Sequence, residues 1–232
     1  MIFIKPSYEI LTNIDGEKIL KNIEKIARLC YKSENKINDD SAKVLIKSLI
    51  SRDHTAMIEH ESISVKFICD RGVSHEIVRH RLASFAQEST RYCNYSNKEK
   101  FGNHLSVIVQ PGMTTDEFTP HYANFETIVE ELFGNTLMDH DAIDYWLFAN
   151  CIAEFCYLSL IRKGWTPDQA RSVLPTDVKT EIVVTANLRE WRNIFKLRTA
   201  KAAHPQMREL MIPLLNEFKE KIPIIFDDII PD

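Results

Sequence analysis

Apolar residues recur at helical spacing over much of the chain. The pattern predicts helices over residues 17–32, 41–50, 122–133, 139–163, 188–199 and 205–221. Gly164 is the expected C-terminal stop of the 139–163 helix, and Asn187 with Glu190 resembles a capping box that opens the 188–199 helix. A further helix is expected to follow Gly72 and to run to about Ala83.

Strand patterns are shorter and fewer. Ile63, Val65, Phe67 and Cys69 alternate with polar residues and predict a strand over 61–69, and β-branched residues predict short strands over 105–109 and 181–186. The chain has no internal repeat, low-complexity tract or linker. We therefore expect a single α+β domain over 1–232, in which a small mixed or antiparallel sheet packs with long helices.

Composition narrows the class of protein. With 232 residues and 44% hydrophobic content, the chain can bury a sizeable core without disulfides or a structural metal. No segment approaches the roughly 20 apolar residues that span a bilayer, and the opening MIFIKPSYEI lacks the features of a secretory signal. The five cysteines, an odd number without CxxC spacing, are expected to be reduced thiols. A cytoplasmic protein without a membrane partner is the expectation.

Charge and glycine content limit how a nucleotide could bind. The net charge of -4 argues against a surface that coats DNA or RNA, because such surfaces carry a basic excess. The six glycines form neither a GxGxxG fingerprint nor a phosphate-binding loop. Any nucleotide must therefore be held by side chains and helix ends.

The densest chemistry lies in the segment RHRLASFAQESTRY, which covers residues 79–92. Its arginines, hydroxyls and amide offer many donors for phosphate and carbonyl oxygens. On a helical wheel Val73 and Ile77 occupy one side, and Val78 and Leu82 the other. This predicts a helix packed on more than one face, whose partly desolvated arginines need anionic or π-rich partners.

The pattern of this segment allows two other interpretations. One is a solvated basic helix, in which Glu76 pairs with Arg79 or His80. A zinc site is disfavoured, because His80 follows His75 by five residues and lies about 140° around the helix from it, unlike the second histidine of HExxH.

Arg79, His80 and Arg81, followed by seven residues, Ser89, one residue and Arg91, match the pattern RHRx7SxR. This pattern resembles the signature of the flavin-dependent thymidylate synthases. Further matches in the order and spacing of that family cover nearly the whole chain: His54, Glu59-His60, the segment ARSVLP at 170–175, Asn187-Leu188-Arg189, Asn193 and Leu197-Arg198.

The resemblance implies a reaction and a set of site residues. It implies that bound FAD, NADPH and 5,10-methylenetetrahydrofolate convert dUMP to dTMP, in a homotetramer whose active sites lie at subunit interfaces. The implied FAD contacts are His54, Ala56, Arg79, His80, Arg81, Gln87, Asn187, Leu188, Arg189 and Asn193. The implied dUMP contacts are Glu76, Ile77, Val78, Arg79, Gln87, Glu88, Ser89, Thr90, Arg91, Arg171 and Arg198, with 76–79 supplied by another subunit.

Within this set, Arg91 matches the residue at the phosphate and Arg198 matches the catalytic arginine thought to polarise the uracil. Arg198 also falls close to an apolar stripe that includes Trp191 and Phe195, where a guanidinium needs an anionic partner. A structural ion pair or a snorkelling side chain is the simpler explanation on this helix alone. Ser89 has no neighbouring base or GxSxG elbow, so we interpret it as a positioning donor.

Two rival functions stay open. One is a nucleotide-binding regulator that kept the arginine site and lost turnover, against which the intact Arg198 argues. The other is a folate-dependent flavoprotein acting on uridine in RNA, which the acidic net charge disfavours.

Overall fold

The fold is described by a computed structural model for residues 1–113 and 141–231. Backbone contacts divide the chain into two compact units. Unit 1 comprises Met1–Pro6, Ile68–Ser74 and Gln87–Glu181, and unit 2 comprises Ser7–Phe67, His75–Ala86 and Ile182–Asp232. The single-domain organisation expected from the sequence stays a prediction.

The described helices vary widely in length. The α-helices are α1 (Gly16–Leu29), α2 (Ser41–Ser51), α3 (Arg71–Ile77), α4 (Lys98–Phe101), α5 (Ala142–Arg162), α6 (Pro167–Ala170), α7 (Leu188–Arg198) and α8 (Pro205–Lys221). Short 3-10 helices cover Glu34–Lys36, Thr55–His60 and Arg171–Val173. None of these described helices is long and apolar enough to cross a membrane.

The strands of the described residues form two small sheets. They are β1 (Ile2–Ile4), β2 (Ser7–Ile10), β3 (Ser62–Asp70), β4 (Ala83–Gln87), β5 (Ser106–Ile108) and β6 (Lys179–Asn187). β1 pairs with β5 in parallel, and the other four strands form a sheet in the order β2-β3-β6-β4. An isolated antiparallel bridge joins Val107 to Val178. Small sheets accompanied by long helices confirm the expected α+β class.

An aromatic cluster forms the core of unit 2. The side chains of Trp191, Phe195, Phe218 and Phe226 are fully buried, with neighbouring ring centroids 5.1 to 5.6 Å apart. The indole N–H of Trp191 donates to the carbonyl of Ile63 at 3.0 Å. The cluster therefore holds α7 against α8 and ties α7 to the start of β3.

The described residues of unit 1 include a core of their own. Tyr95, Leu105, Tyr157, Ala170 and Val178 are buried together. The rings of Tyr95 and Tyr157 lie 5.6 Å apart, and the Tyr157 hydroxyl accepts from the backbone N–H of Tyr95 at 3.3 Å. This contact attaches α5 to the chain just beyond the arginine-rich segment.

Local signals account for the helix ends. Asp141 caps α5 by accepting from the backbone N–H groups of Ile143 and Asp144, and Gly164 follows the helix with a φ of +92°. At α7 the side chain of Asn187 accepts from the N–H of Glu190 at 2.8 Å. The helices expected at 17–32, 41–50, 188–199 and 205–221 are confirmed within a few residues, whereas the one at 122–133 lies outside the described residues.

The helix expected to run to Ala83 is shorter than the pattern suggested. α3 ends at Ile77, a series of turns follows, and residues 83–87 form strand β4 beside β6. Leu82 is 77% exposed in the chain, so the expectation of a helix packed on two faces is wrong. Sheet pairing after His80 overrides the local helical period, as tertiary contacts often do.

An ion pair between Asp228 and Arg192 holds the C-terminal segment to α7. The Asp228 carboxylate makes two hydrogen bonds, at 2.6 and 2.7 Å, to the buried guanidinium of Arg192, and these bonds hold the pKa of Asp228 below its ordinary value. A lowered pKa stabilises the folded state above the unfolded pKa, near 4, and the effect disappears as the pH falls through the folded pKa. We expect Asp228→Asn to lower the free energy of unfolding at pH 7.

Urea denaturation of both proteins as a function of pH checks this expectation. The difference in unfolding free energy should be constant above about pH 5 and should shrink below about pH 4. A difference that stays the same down to pH 2 would show that the ion pair is not its origin.

Candidate functional site

Arg198 lies at the centre of a polar network in unit 2. Its Nε donates to Nε2 of His80 at 3.0 Å, one terminal nitrogen donates to the Glu76 carboxylate at 2.8 Å, and the other donates to the Glu76 carbonyl at 3.0 Å. The side chain of Arg198 is 19% exposed. Arg198 therefore forms the structural ion pair that the sequence left open as the simpler explanation, and its partner Glu76 lies in α3, three residues before Arg79.

His80 joins this network to the first turn of α7. It is buried, and its Nδ1 lies 3.3 Å from the carboxylate of Glu190. Burial, and then the Arg198 guanidinium, lower the pKa of His80, while Glu190 acts in the opposite direction. The solvated helix with Glu76 paired to Arg79 or His80 is therefore wrong, because Glu76 pairs with Arg198 and His80 is not solvated.

A cavity of about 400 Å³ lies in unit 2 and is lined mainly by apolar surface. Three of the expected flavin contacts, His54, Ala56 and Arg189, line it together. Arg189 also forms an ion pair with Glu59. Sequence reasoning missed several other wall residues, which come from the end of α1, from α2 and from the 3-10 helix: Cys30, Tyr31, Leu45, Leu49 and Met57.

The remaining expected residues of unit 2 differ in what they can offer. Arg79 and Arg81 are exposed, so the expectation that they are partly desolvated is wrong, and both guanidiniums are accessible to a ligand. Ile77 and Leu188 are buried apolar side chains, so any ligand contact of theirs falls to backbone atoms. Val78 is half-buried.

Unit 1 carries a second group of expected residues. Gln87 hydrogen-bonds the hydroxyls of Ser74 and Thr180 at 2.9 and 3.2 Å, which fix its side chain. Arg171 donates to the Thr90 hydroxyl at 3.4 Å, so these two predicted dUMP contacts lie together.

The turn that follows β4 exposes the last arginine of the motif. The Ser89 hydroxyl accepts from the backbone N–H of Arg91 at 3.3 Å. The guanidinium of Arg91 is exposed and lies over the ring of Tyr92, 5.5 Å from its centroid. Both Arg91 and Arg171 therefore present accessible positive charge on unit 1.

Glu88 is already engaged within unit 1. Its carboxylate accepts from the Tyr95 hydroxyl at 2.9 Å and from Lys179 at 2.8 Å, while its backbone N–H donates to Glu181. These bonds hold the Glu88 side chain within unit 1, and its expected contact to dUMP stays a prediction. Lys179 was not singled out from the sequence, and no local motif distinguishes it.

One cysteine, Cys30, lines the cavity of unit 2. All five are free thiols. Burial raises the pKa of Cys69 to about 12 and that of Cys151 to about 11. These two thiols are protonated at neutral pH and are poor nucleophiles.

The fold has counterparts among solved structures. The UMP/dUMP methylase PolB from Streptomyces cacaoi, solved with 5-Br dUMP, superimposes with a TM-score of 0.72 over 98% of this chain and 96% of that one, at 19% sequence identity. A second structure of PolB, with 5-Br UMP, gives a TM-score of 0.69. The chain thus has the fold of these nucleotide methylases.

Sequence comparison is more specific. A flavin-dependent thymidylate synthase of Mycobacterium tuberculosis is 29% identical over 228 residues, which cover 96% of this chain and 84% of that protein. The enzyme of the same description from Mycobacterium avium is 30% identical over 222 residues, covering 94% and 81%. Residues 14–224 match the family described as thymidylate synthase complementing protein. The chain belongs to this family.

Proposed function

We propose that the protein is a flavin-dependent thymidylate synthase that converts dUMP to dTMP with FAD, NADPH and 5,10-methylenetetrahydrofolate. The observation that carries this proposal is the network in which Arg198 meets Glu76 and His80, inside a chain of this family. It brings the arginine assigned to the uracil together with one end of the RHRx7SxR motif.

The cavity in unit 2 fits the ring system of a flavin. Its mainly apolar walls suit a flat aromatic ring, and its volume of about 400 Å³ is within the range of small-molecule sites. The exposed guanidiniums of Arg79 and Arg81 suit the pyrophosphate of FAD. His54, Ala56 and Arg189 would then hold the flavin, together with Asn187 and Asn193. Bound reduced flavin supplies the hydride that completes the methyl group.

The residues of unit 1 suit the nucleotide. Arg91 and Arg171 present exposed guanidiniums that can bind a phosphate, and Ser89 adds a hydroxyl donor beside them. Gln87 is held by two hydroxyls and is therefore oriented before a ligand arrives. These residues bind and orient dUMP, whereas Arg198 stabilises the negative charge that develops on the pyrimidine.

We also propose a homotetramer in which 76–79 of one subunit border the dUMP held by another. Within one chain Glu76 accepts from two N–H groups of Arg198, and two other N–H groups of the guanidinium are left for dUMP. Size-exclusion chromatography with light scattering tests the tetramer.

The absorption spectrum of the purified protein near 450 nm tests the flavin proposal. Under anaerobic conditions, NADPH should bleach the flavin band, and more readily when dUMP is present. A colourless protein that FAD cannot reconstitute would leave a nucleotide-binding relative without this chemistry.

Arg91→Ala tests the phosphate assignment. Charge-assisted hydrogen bonds contribute about 1.5–3 kcal/mol, so we expect dUMP to bind about 10- to 100-fold more weakly, with little change for deoxyuridine, which lacks the phosphate. Isothermal titration calorimetry measures both. Arg162→Ala removes an exposed arginine from the same unit and should leave both affinities unchanged. If Arg91→Ala lowers the affinity for dUMP and for deoxyuridine equally, Arg91 does not bind the phosphate.

A further inference from the structure

Glu190 has a buried carboxylate to which the proposed function assigns no role. It lies in the first turn of α7 and is 5% exposed. Its backbone N–H donates to the side chain of Asn187. Its carboxylate lies 3.3 Å from Nδ1 of His80. The same carboxylate accepts from Nδ2 of Asn193, which lies 3.3 and 3.4 Å from its two oxygens. A buried carboxylate is costly unless such donors satisfy it.

The contacts of His80 determine which ring nitrogen carries the proton. Every N–H of an arginine can only donate, so Nε2 of His80 must accept from Nε of Arg198. In the neutral ring the remaining proton is then on Nδ1, which lies 3.3 Å from the carboxylate of Glu190. Glu190, His80 and Arg198 thus form a series of polar contacts. Glu190 fixes the tautomer of His80, and His80 fixes the orientation of Arg198.

This series of contacts also sets the plane of the Arg198 guanidinium. Arginine has five N–H donors, and three of those of Arg198 are engaged by His80 and Glu76. The Nε–H bond to His80 fixes the rotation of the group about its long axis. Two N–H groups are left to meet a ligand, in a direction that His80 determines.

We infer that Glu190 is a positioning residue, which holds His80 in the Nδ1–H tautomer so that Nε2 accepts from Arg198 and aims the guanidinium at the pyrimidine. The inference rests on the proposed function for the role of Arg198, but the tautomer itself does not depend on it. Through Asn193, the same carboxylate also orients a residue assigned to the flavin.

Nitrogen-15 NMR of the full-length protein labelled at histidine tests the tautomer directly. Protonated and unprotonated ring nitrogens resonate far apart, and the spectrum of His80→Asn identifies the signals of His80 among the eight histidines. We expect wild-type His80 to carry its proton on Nδ1 at neutral pH. Wild-type protein with the proton on Nε2 would overturn the inference, whatever the variants do.

Two substitutions of Glu190 distinguish the effect of its hydrogen-bond acceptor from the effect of its negative charge. Glu190→Gln keeps an oxygen that accepts from Nδ1–H, so both the tautomer and the kcat for dTMP formation should stay close to wild type. Glu190→Leu removes the acceptor, and the ring should move toward the Nε2–H tautomer, whose proton opposes Arg198. The kcat should then fall about 10- to 100-fold, the size of effect that follows loss of a carboxylate orienting a metal-bound histidine, with a smaller change in the KM for dUMP.

Glu154→Leu is the matched control. Glu154 is a mostly buried carboxylate whose partners are the amino terminus and the backbone N–H of Leu105. Its loss should leave the His80 signals and the kcat unchanged. Unaltered His80 signals and kcat in Glu190→Leu would overturn the inference. Wild-type protein that forms no dTMP would instead refute the proposed function, while the NMR comparison would still decide the role of Glu190.

Discussion

Arg198→Ala is expected to lower the kcat for dTMP formation by about 10²- to 10³-fold while FAD stays bound. The guanidinium is the group that we assign to the charge developing on the pyrimidine, and removal of one such donor typically has an effect of this size. In addition, the substitution leaves the Glu76 carboxylate and Nε2 of His80 without their present partner. Steady-state kinetics at saturating dUMP, with the flavin absorbance recorded on the same sample, measures both quantities.

Three further variants separate catalysis from structural loss. Arg198→Lys keeps the positive charge but has no planar fork of donors, so most of the loss should remain. Arg198→Ala combined with Glu76→Gln removes the unpaired carboxylate and should not restore turnover. Lys196→Ala changes an exposed cation on the same helix and should be neutral. Turnover at the wild-type rate in Arg198→Ala would remove its catalytic role.

Trp191→Ala is expected to destabilise the protein by about 3–5 kcal/mol, the usual range for deletion of a buried aromatic side chain. The indole is fully buried against Phe195 and Phe218, and its N–H satisfies the carbonyl of Ile63. For a chain of this size the midpoint of thermal unfolding should fall by roughly 10 °C. Differential scanning calorimetry without ligands, at one protein concentration, measures the change.

Two other tryptophan variants serve as comparisons for Trp191→Ala. Trp191→Phe keeps a ring in the cluster and loses only the donor to Ile63, so its cost should be about 1–3 kcal/mol. Trp165 is 46% exposed, and Trp165→Ala should cost much less than Trp191→Ala. Equal effects at positions 165 and 191 would contradict the description of the core.

The elements with the strongest periodicity were predictable from the sequence. The alternation at Ile63, Val65 and Phe67 identified β3, and the helical period at 205–221 matched α8. Strands β1, β2 and β4 have three to five residues and were missed, because none of them contains the consecutive β-branched residues that indicated β5 and β6. They are strands because they pair with neighbours that are distant in the sequence.

The site was predictable in part. The motif and the family spacing indicated Arg79, His80 and Arg198, and the structure places His80 against Arg198. Glu190 was interpreted only as a helix-capping residue, because nothing in the local sequence shows that its carboxylate faces His80 across more than 100 positions. Contacts of this kind depend on the tertiary fold and leave no local signal.

The most direct test of the proposed function follows labelled carbon. Purified protein is incubated with dUMP, FAD, NADPH and 5,10-methylenetetrahydrofolate labelled at the methylene carbon, in parallel with transfer RNA in place of dUMP. We expect the label in dTMP, with tetrahydrofolate released and no label in the RNA. Label in the RNA alone, or flavin-loaded protein that binds dUMP and forms no dTMP, would contradict the proposal.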